Sequence, residues 1–352
     1  MKKILLSIVF FFLFSSVGYA GPCLTTIASA STNQLACADD DILKVTSAGS
    51  ITYSDNKAVD LEDISGVQIT NDGTIQTESG TNKQIAINAE SSLNTTITNN
   101  GTINSDNKYG VILNYAENVV ITNNAGATIS ADGNTAIYGK NVGNCHFNGT
   151  NCHSDLSGQS NGVGLTLHNH GTITSQHETV WLGSGSSGAH RSKGIKIYNY
   201  DGGIIKTTDE GDSPIKGFHL VDFEFINYQG GTIEGDDRHA VNTEQSEDIN
   251  FTNNGTITAE DKSAFYCKTC SDVTFNNTGT MTSGNNAVVI SAGDNISITN
   301  SGTITATADN SGLNISSSDG TVVTNTGTIS GVDHGMQSSN VDNSTITNHG
   351  TI

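Results

Sequence analysis

Basic side chains are scarce in this sequence: 15 Lys and Arg stand against 35 Asp and Glu, giving a formal net charge of −20, and Arg191 and Arg238 are the only arginines. A chain this acidic repels phosphate backbones, which excludes a nucleic-acid partner. Charged residues of both signs make up only 14% of the chain, too few for a long solvated helix or coiled coil. Aromatics are sparse at 6%, and there are 2 Pro against 39 Gly. No Gly-Gly-x-Gly-x-Asp calcium nonapeptide occurs, the repeat signature of calcium-binding β-rolls. Such a Gly-, Asn-, Ser- and Thr-rich chain could be disordered, but Ile and Val return too regularly for that.

Only one long apolar run exists. Lys2 and Lys3 precede Ile4–Phe14, followed by the small-residue pattern Gly18-Tyr19-Ala20. This is the layout of a secretory signal peptide over residues 1–20, cut after Ala20. Its apolar core is too short to span a bilayer, so the mature chain is expected to be exported. In an exported chain, six cysteines read first as disulfides. They fall into three local pairs: Cys23 with Cys37, Cys145 with Cys152, and Cys267 with Cys270. The first would staple an N-terminal cap over residues 21–44.

From residue 45 onward the sequence repeats. The phrase Ile97-Thr98-Asn99-Asn100-Gly101-Thr102-Ile103 recurs with small changes, its last residue falling at Ile51, Ile75, Ile103, Ile129, Ile173, Ile205, Ile233, Ile257, Met281, Ile304, Ile329 and Ile352. Most intervals are 23 to 28 residues, with two larger ones of 44 and 32. Within each unit three short runs alternate apolar with Thr, Ser or Asn, the period of a half-buried strand. None could stand alone. Three strands per roughly 24-residue unit, in register, predict one coil of a parallel β-helix. A 3.6-residue apolar period is absent, so the fold class is all-β.

The repeated positions have physical roles. Stacked about 4.8 Å apart, the closing isoleucines would form an inward apolar column. An asparagine precedes the glycine in every unit after the first: Asn71, Asn99, Asn123, Asn169, Asn199, Asn227, Asn253, Asn277, Asn300, Asn325 and Asn348. Its amide can donate to one neighbour and accept from the other, building a ladder. Its tolerance of the left-handed conformation would also suit a sharp corner. Glycosylation-like triplets such as Asn148-Gly149-Thr150 are by-products of this repeat.

The signal peptide followed by Asn-Gly-Thr-Ile coils resembles the passenger region of bacterial autotransporters, over residues 45–352. The resemblance implies a right-handed parallel β-helix at the outer membrane or surface of a Gram-negative cell, commonly used for adhesion. It also implies attachment through a translocator barrel outside this chain. The sequence stops on a strand, at Gly350-Thr351-Ile352, as expected for a piece of a longer protein.

Two expansions interrupt the coils between the third run and the Asn-bearing strand. Residues Gly139–Asn161 contain Cys145-His146 and Cys152-His153, and Gly183–Lys193 contains His190 and Arg191. Cys267–Cys270 falls at the same corner. Insertions on one face of a repeat rod are a usual place for binding, although surface loops also lengthen at little cost. The two Cys-His pairs could form a Cys₂His₂ metal set, but oxidation to a disulfide is expected instead, with no metal and no cofactor. Nearby, His168 and His170 flank Asn169, as Tyr198 and Tyr200 flank Asn199, with Tyr228 one unit on. Alternation predicts an outward aromatic strip beside the expansions. Such a strip could hold a sugar or a partner protein by stacking, or merely stiffen the sheet.

Asp236-Asp237-Arg238-His239 is the one compact set combining acid, base and cation. It lies in a turn and lacks the Gly-His-Gly signature of polygalacturonases, so catalysis is not expected. Other acidic clusters, such as Asp39-Asp40-Asp41, read as solvated turns. The expected function is thus display and adhesion to a glycan or protein of a host or neighbouring cell. The runner-up readings are a polysaccharide lyase or hydrolase and a self-associating fibre or tailspike-like module.

Overall fold

The computed structural model describes residues 21–23, 25–78, 84–143, 146–147, 152–153, 163–184, 191–208, 212–308 and 310–352. The signal-peptide reading of residues 1–20 and the position of Cys145 lie outside them. Among the described residues there is no helix. The chain winds as a parallel β-helix with three short strands per coil, one in a 12-stranded sheet and two in separate stacks that join into a 26-stranded sheet. A representative coil consists of Glu247–Asn253, Thr256–Ala259 and Phe265–Lys268. The next stacks on it with Asn253 opposite Asn277, Ile257 opposite Met281 and Phe265 opposite Val288. We call the three faces the asparagine sheet, the isoleucine sheet and the third sheet.

Residues 21–44, expected as a cap, carry strands of the same stack: Thr25–Ile27 pairs with Leu43–Val45 and Ala30–Ser31 with Ser50–Ile51. The Cys23–Cys37 disulfide staples this end across a Cα separation of 4.7 Å. Cys267 and Cys270 are likewise bonded, both buried in their corner.

Period-2 alternation puts every second side chain inside. The isoleucine column from Ile51 to Ile329, with Met281 in its place, is fully buried, and each member contributes about 1.5–3 kcal/mol. The asparagine sheet adds a second inner column in which Phe225, Phe251 and Phe275 stack at 5.0 and 4.9 Å. The asparagines form an unbroken ladder from Asn71 to Asn348, each Nδ2 donating to the Oδ1 of the next coil at 2.8–2.9 Å.

Two details differ from the expected corner. The ladder asparagines are not left-handed; they end ordinary strands. Left-handed residues occur instead in pairs three apart, between the third and asparagine sheets: His219 and Asp222, Gln245 and Asp248, Thr269 and Asp272, Ala292 and Asn295. In most coils the glycine after the ladder has no positive φ; Gly126, Gly202 and Gly230, in the longer turns after Asn123, Asn199 and Asn227, are the exceptions. Elsewhere it is required by close approach, because a Cβ on Gly302 would lie 2.1 Å from the carbonyl oxygen of Gly279 in the coil below.

Candidate functional site

Both expansions leave the rod at the corner between the third and asparagine sheets. The first lies between Thr135–Lys140 and Leu165–Asn169, the second between Val180–Gly183 and Ser192–Asn199. Within the first, His146–Phe147 and Cys152–His153 form an antiparallel pair that sets His146 opposite His153. The Cys145–Cys152 disulfide and His190 fall outside the described residues. Arg191 is not available as an open cation: its guanidinium pairs with Glu247 and donates to the carbonyl oxygen of Gln245 at 3.3 Å. It ties the end of the second expansion to a coil further along the rod.

The aromatic strip forms on the asparagine sheet. His168 pairs in register with Tyr198, which pairs with Ile226. Just past the ladder, His170, Tyr200 and Tyr228 stack with centroids 4.1 and 4.7 Å apart and planes within 6°. The His168 Nδ1 and the Tyr200 hydroxyl share a 3.0 Å hydrogen bond. Burial holds His168 below the usual histidine range, with His170 adding to the effect. Burial, reinforced by Glu224, pushes the Tyr198 hydroxyl up to about 12.

The strip differs from expectation in two respects. Its rings face one another along the rod, so sugar stacking is left to rings at the ends of the column, such as exposed Tyr228. It also lies at the far end of each strand from the expansions, about 10 Å across the sheet at roughly 3.3 Å per residue.

The aromatics that adjoin the expansions are on the third sheet, where a stack of Tyr109, Tyr138 and Trp181 has ring centroids 4.5 and 4.8 Å apart. Trp181 and Tyr138 lie in the strands that lead into the two expansions. Column reading joins Tyr138 to Trp181, which are in register, but misses Tyr109, which pairs with Thr135 while Tyr138 is opposite Ile112. The one sequence signal of the stack is the only tryptophan of the chain. Burial pushes the Tyr109 hydroxyl up to about 12, with Tyr138 and Glu178 adding to the effect.

The Asp236–His239 set is divided between two grooves. Asp236 lines one of about 500 Å³ with Glu234, Glu260 and Lys206. Arg238 and His239 line another of about 320 Å³ with Glu244, Tyr266 and Lys268. Asp236 and His239 therefore line different grooves. A hydrogen bond to Asp236, with that carboxylate's charge, holds Glu260 above the usual carboxylate range. His239 stacks on Tyr266 with centroids 4.1 Å apart, and its Nδ1 accepts the Ser263 N–H at 3.2 Å.

Among the described residues, the one His, Cys, Asp and Glu grouping close enough to hold a metal is Cys23, Cys37 and Asp41. Its two sulfurs are joined to each other, which removes the thiolates a metal would require. Comparison with protein families, curated proteins and solved structures gives no match to this chain.

Proposed function

We propose that the chain is an exported, surface-displayed passenger rod whose expanded corner carries adhesive contacts to a glycan or protein of another cell. The supporting observation is the placement of both expansions at one corner of successive coils, with aromatic stacks on the sheets to either side. The β-helix supplies stiffness: every coil is tied to the next by backbone pairing and by the asparagine ladder. Binding elements are thereby held on a rigid scaffold, where little ordering entropy remains to be lost on contact. The net charge of −20 favours a soluble rod over self-association.

The test removes the corner while keeping the coil. Residues 144–162 and 185–190 are each replaced by a short Gly-Ser turn, and binding to intact cells and to a glycan array is measured. The trimmed rod is expected to melt like the parent and to lose most binding, by about tenfold or more, equivalent to about 1.4 kcal/mol. Undiminished binding would defeat the expanded-corner reading. Polysaccharide turnover abolished by Asp237→Ala would replace it with the enzymatic one.

A further inference from the structure

The Tyr109 end of the third-sheet stack opens into a groove of about 470 Å³, within the size range of small-ligand sites. Tyr138 covers one face of the Tyr109 ring. Along the sheet on its other side, the register neighbour of Tyr109 is Ile85, which also lines the groove. A half-buried aromatic wall thus meets an apolar floor.

The rim is polar, and its charge is opposite to that of the chain. Lys57, Lys108 and Lys140 line the groove with Glu90 as the one carboxylate, although acids outnumber bases by 35 to 15 in the whole sequence. Lys57 is held by Asp60 and Glu62. The other two ammonium groups lie against the rings, Lys108 Nζ 5.2 Å from the Tyr109 centroid and Lys140 Nζ 5.8 Å from that of Tyr138. Among the described residues Lys140 forms no ion pair. The Glu90 carboxylate is oriented by the Asn114 side-chain amide at 3.3 Å.

We propose that this groove binds an acidic saccharide, a site separate from the histidine–tyrosine strip and from the loop residues 144–162 and 185–190. The apolar C–H face of the sugar packs on Tyr109, because a carbohydrate ring combines a flat apolar face with a polar rim, as an aromatic-lined polar groove requires. Its carboxylate or sulfate is held by the Lys140 ammonium group, which loses little by exchanging ring contact for an anion, and the nearby Lys108 adds its charge. Glu90 and Asn114 accept and donate hydrogen bonds to hydroxyls. A neutral sugar would leave the lysines unused. An anionic polymer without apolar faces would leave Tyr109 unused.

Affinity electrophoresis of the purified protein through gels containing alginate, heparin or dextran tests this. Retardation is expected in alginate or heparin and not in dextran. It should weaken in about 1 M salt, where the screening length falls to about 3 Å. Lys108→Gln with Lys140→Gln is expected to reduce affinity at least about tenfold, as is Tyr109→Ala. Lys206→Gln, on the isoleucine sheet, should bind like the parent. The double lysine variant should retain the parental melting temperature, so a loss of binding there reads on the site. Equal retardation by dextran, no retardation by either acidic polymer, or unchanged binding of the double lysine variant would overturn the proposal. The expansion-trimmed rod should still bind alginate or heparin, which separates this outcome from that of the adhesion test.

Discussion

Asn253→Leu is expected to lower unfolding stability by about 3–5 kcal/mol, while Asn250→Leu, on the opposite face of the same strand, should change it by less than about 0.5 kcal/mol. Asn253 is completely buried. Its Nδ2 donates to Asn277 Oδ1 at 2.8 Å and reaches the carbonyl oxygens of Thr280 and Gly255 at 3.3 and 3.4 Å. Its Oδ1 accepts from Asn227 Nδ2 at 2.9 Å. Leucine fills similar space but satisfies none of these groups. Asn277 Oδ1 loses its ladder donor, the Asn227 amide loses its in-plane acceptor, and the Thr280 carbonyl loses a contact. Each buried polar group left wanting costs about 1–3 kcal/mol. Asn227 retains bonds to Gly231 and Thr256, which keeps the sum below its maximum. Urea unfolding of the two variants beside the parent measures the difference. Parental stability in Asn253→Leu would mean that the ladder is a by-product of the coil.

The features legible in the sequence were those that recur at one position in every coil. The isoleucine column and the asparagine ladder follow from the period, because stacking turns a sequence repeat into a spatial column. The Cys23–Cys37 and Cys267–Cys270 pairs follow from local spacing. The first left-handed corner position was not legible, because His219, Gln245, Thr269 and Ala292 share a conformation without sharing a chemistry, whereas the second, Asp222, Asp248, Asp272 and Asn295, is Asp or Asn throughout, the residues that tolerate it. The sequence also carried the membership of the histidine–tyrosine strip but not its orientation. Register sets which residues are neighbours, whereas the tilt of a ring is set by packing against the adjacent ring, here His170 on Tyr200 within 6°. Tyr109 and Tyr138 belong to different columns and meet diagonally, so no column count reveals them. Asp236 and His239, three residues apart at a corner, line different grooves, a separation that proximity along the chain does not reveal.

His239 gives the fold a measurable acid sensitivity. Burial against Tyr266, with the nearby Lys262 and Arg238 charges, pushes its imidazole down from the ordinary 6.5 to about 4. Asp212, Lys216, Glu244 and Lys268 also border its groove. The neutral ring is needed because Nδ1 accepts the Ser263 N–H, and protonation would convert that acceptor into a donor facing a donor. The folded value lies below the unfolded one. The stability from keeping this ring neutral is therefore fully present above about 6.5, is lost as the pH falls, and levels off below about 4. The interval corresponds to about 3 kcal/mol, or about 2–3 kcal/mol once the partial exposure of the ring is allowed for. His239→Gln preserves an acceptor for the Ser263 N–H and removes the titration. Between pH 6.5 and 4 the parent is expected to lose about 2–3 kcal/mol more stability than the variant. His168 and His219, also held low by burial, titrate in both proteins and cancel in the comparison. Denaturation of the two proteins at matched pH values reads this difference directly. Parallel stability curves across that window would show that His239 takes up its proton in the folded rod as readily as in the unfolded chain, so that neither its burial nor its bond to Ser263 opposes the charge.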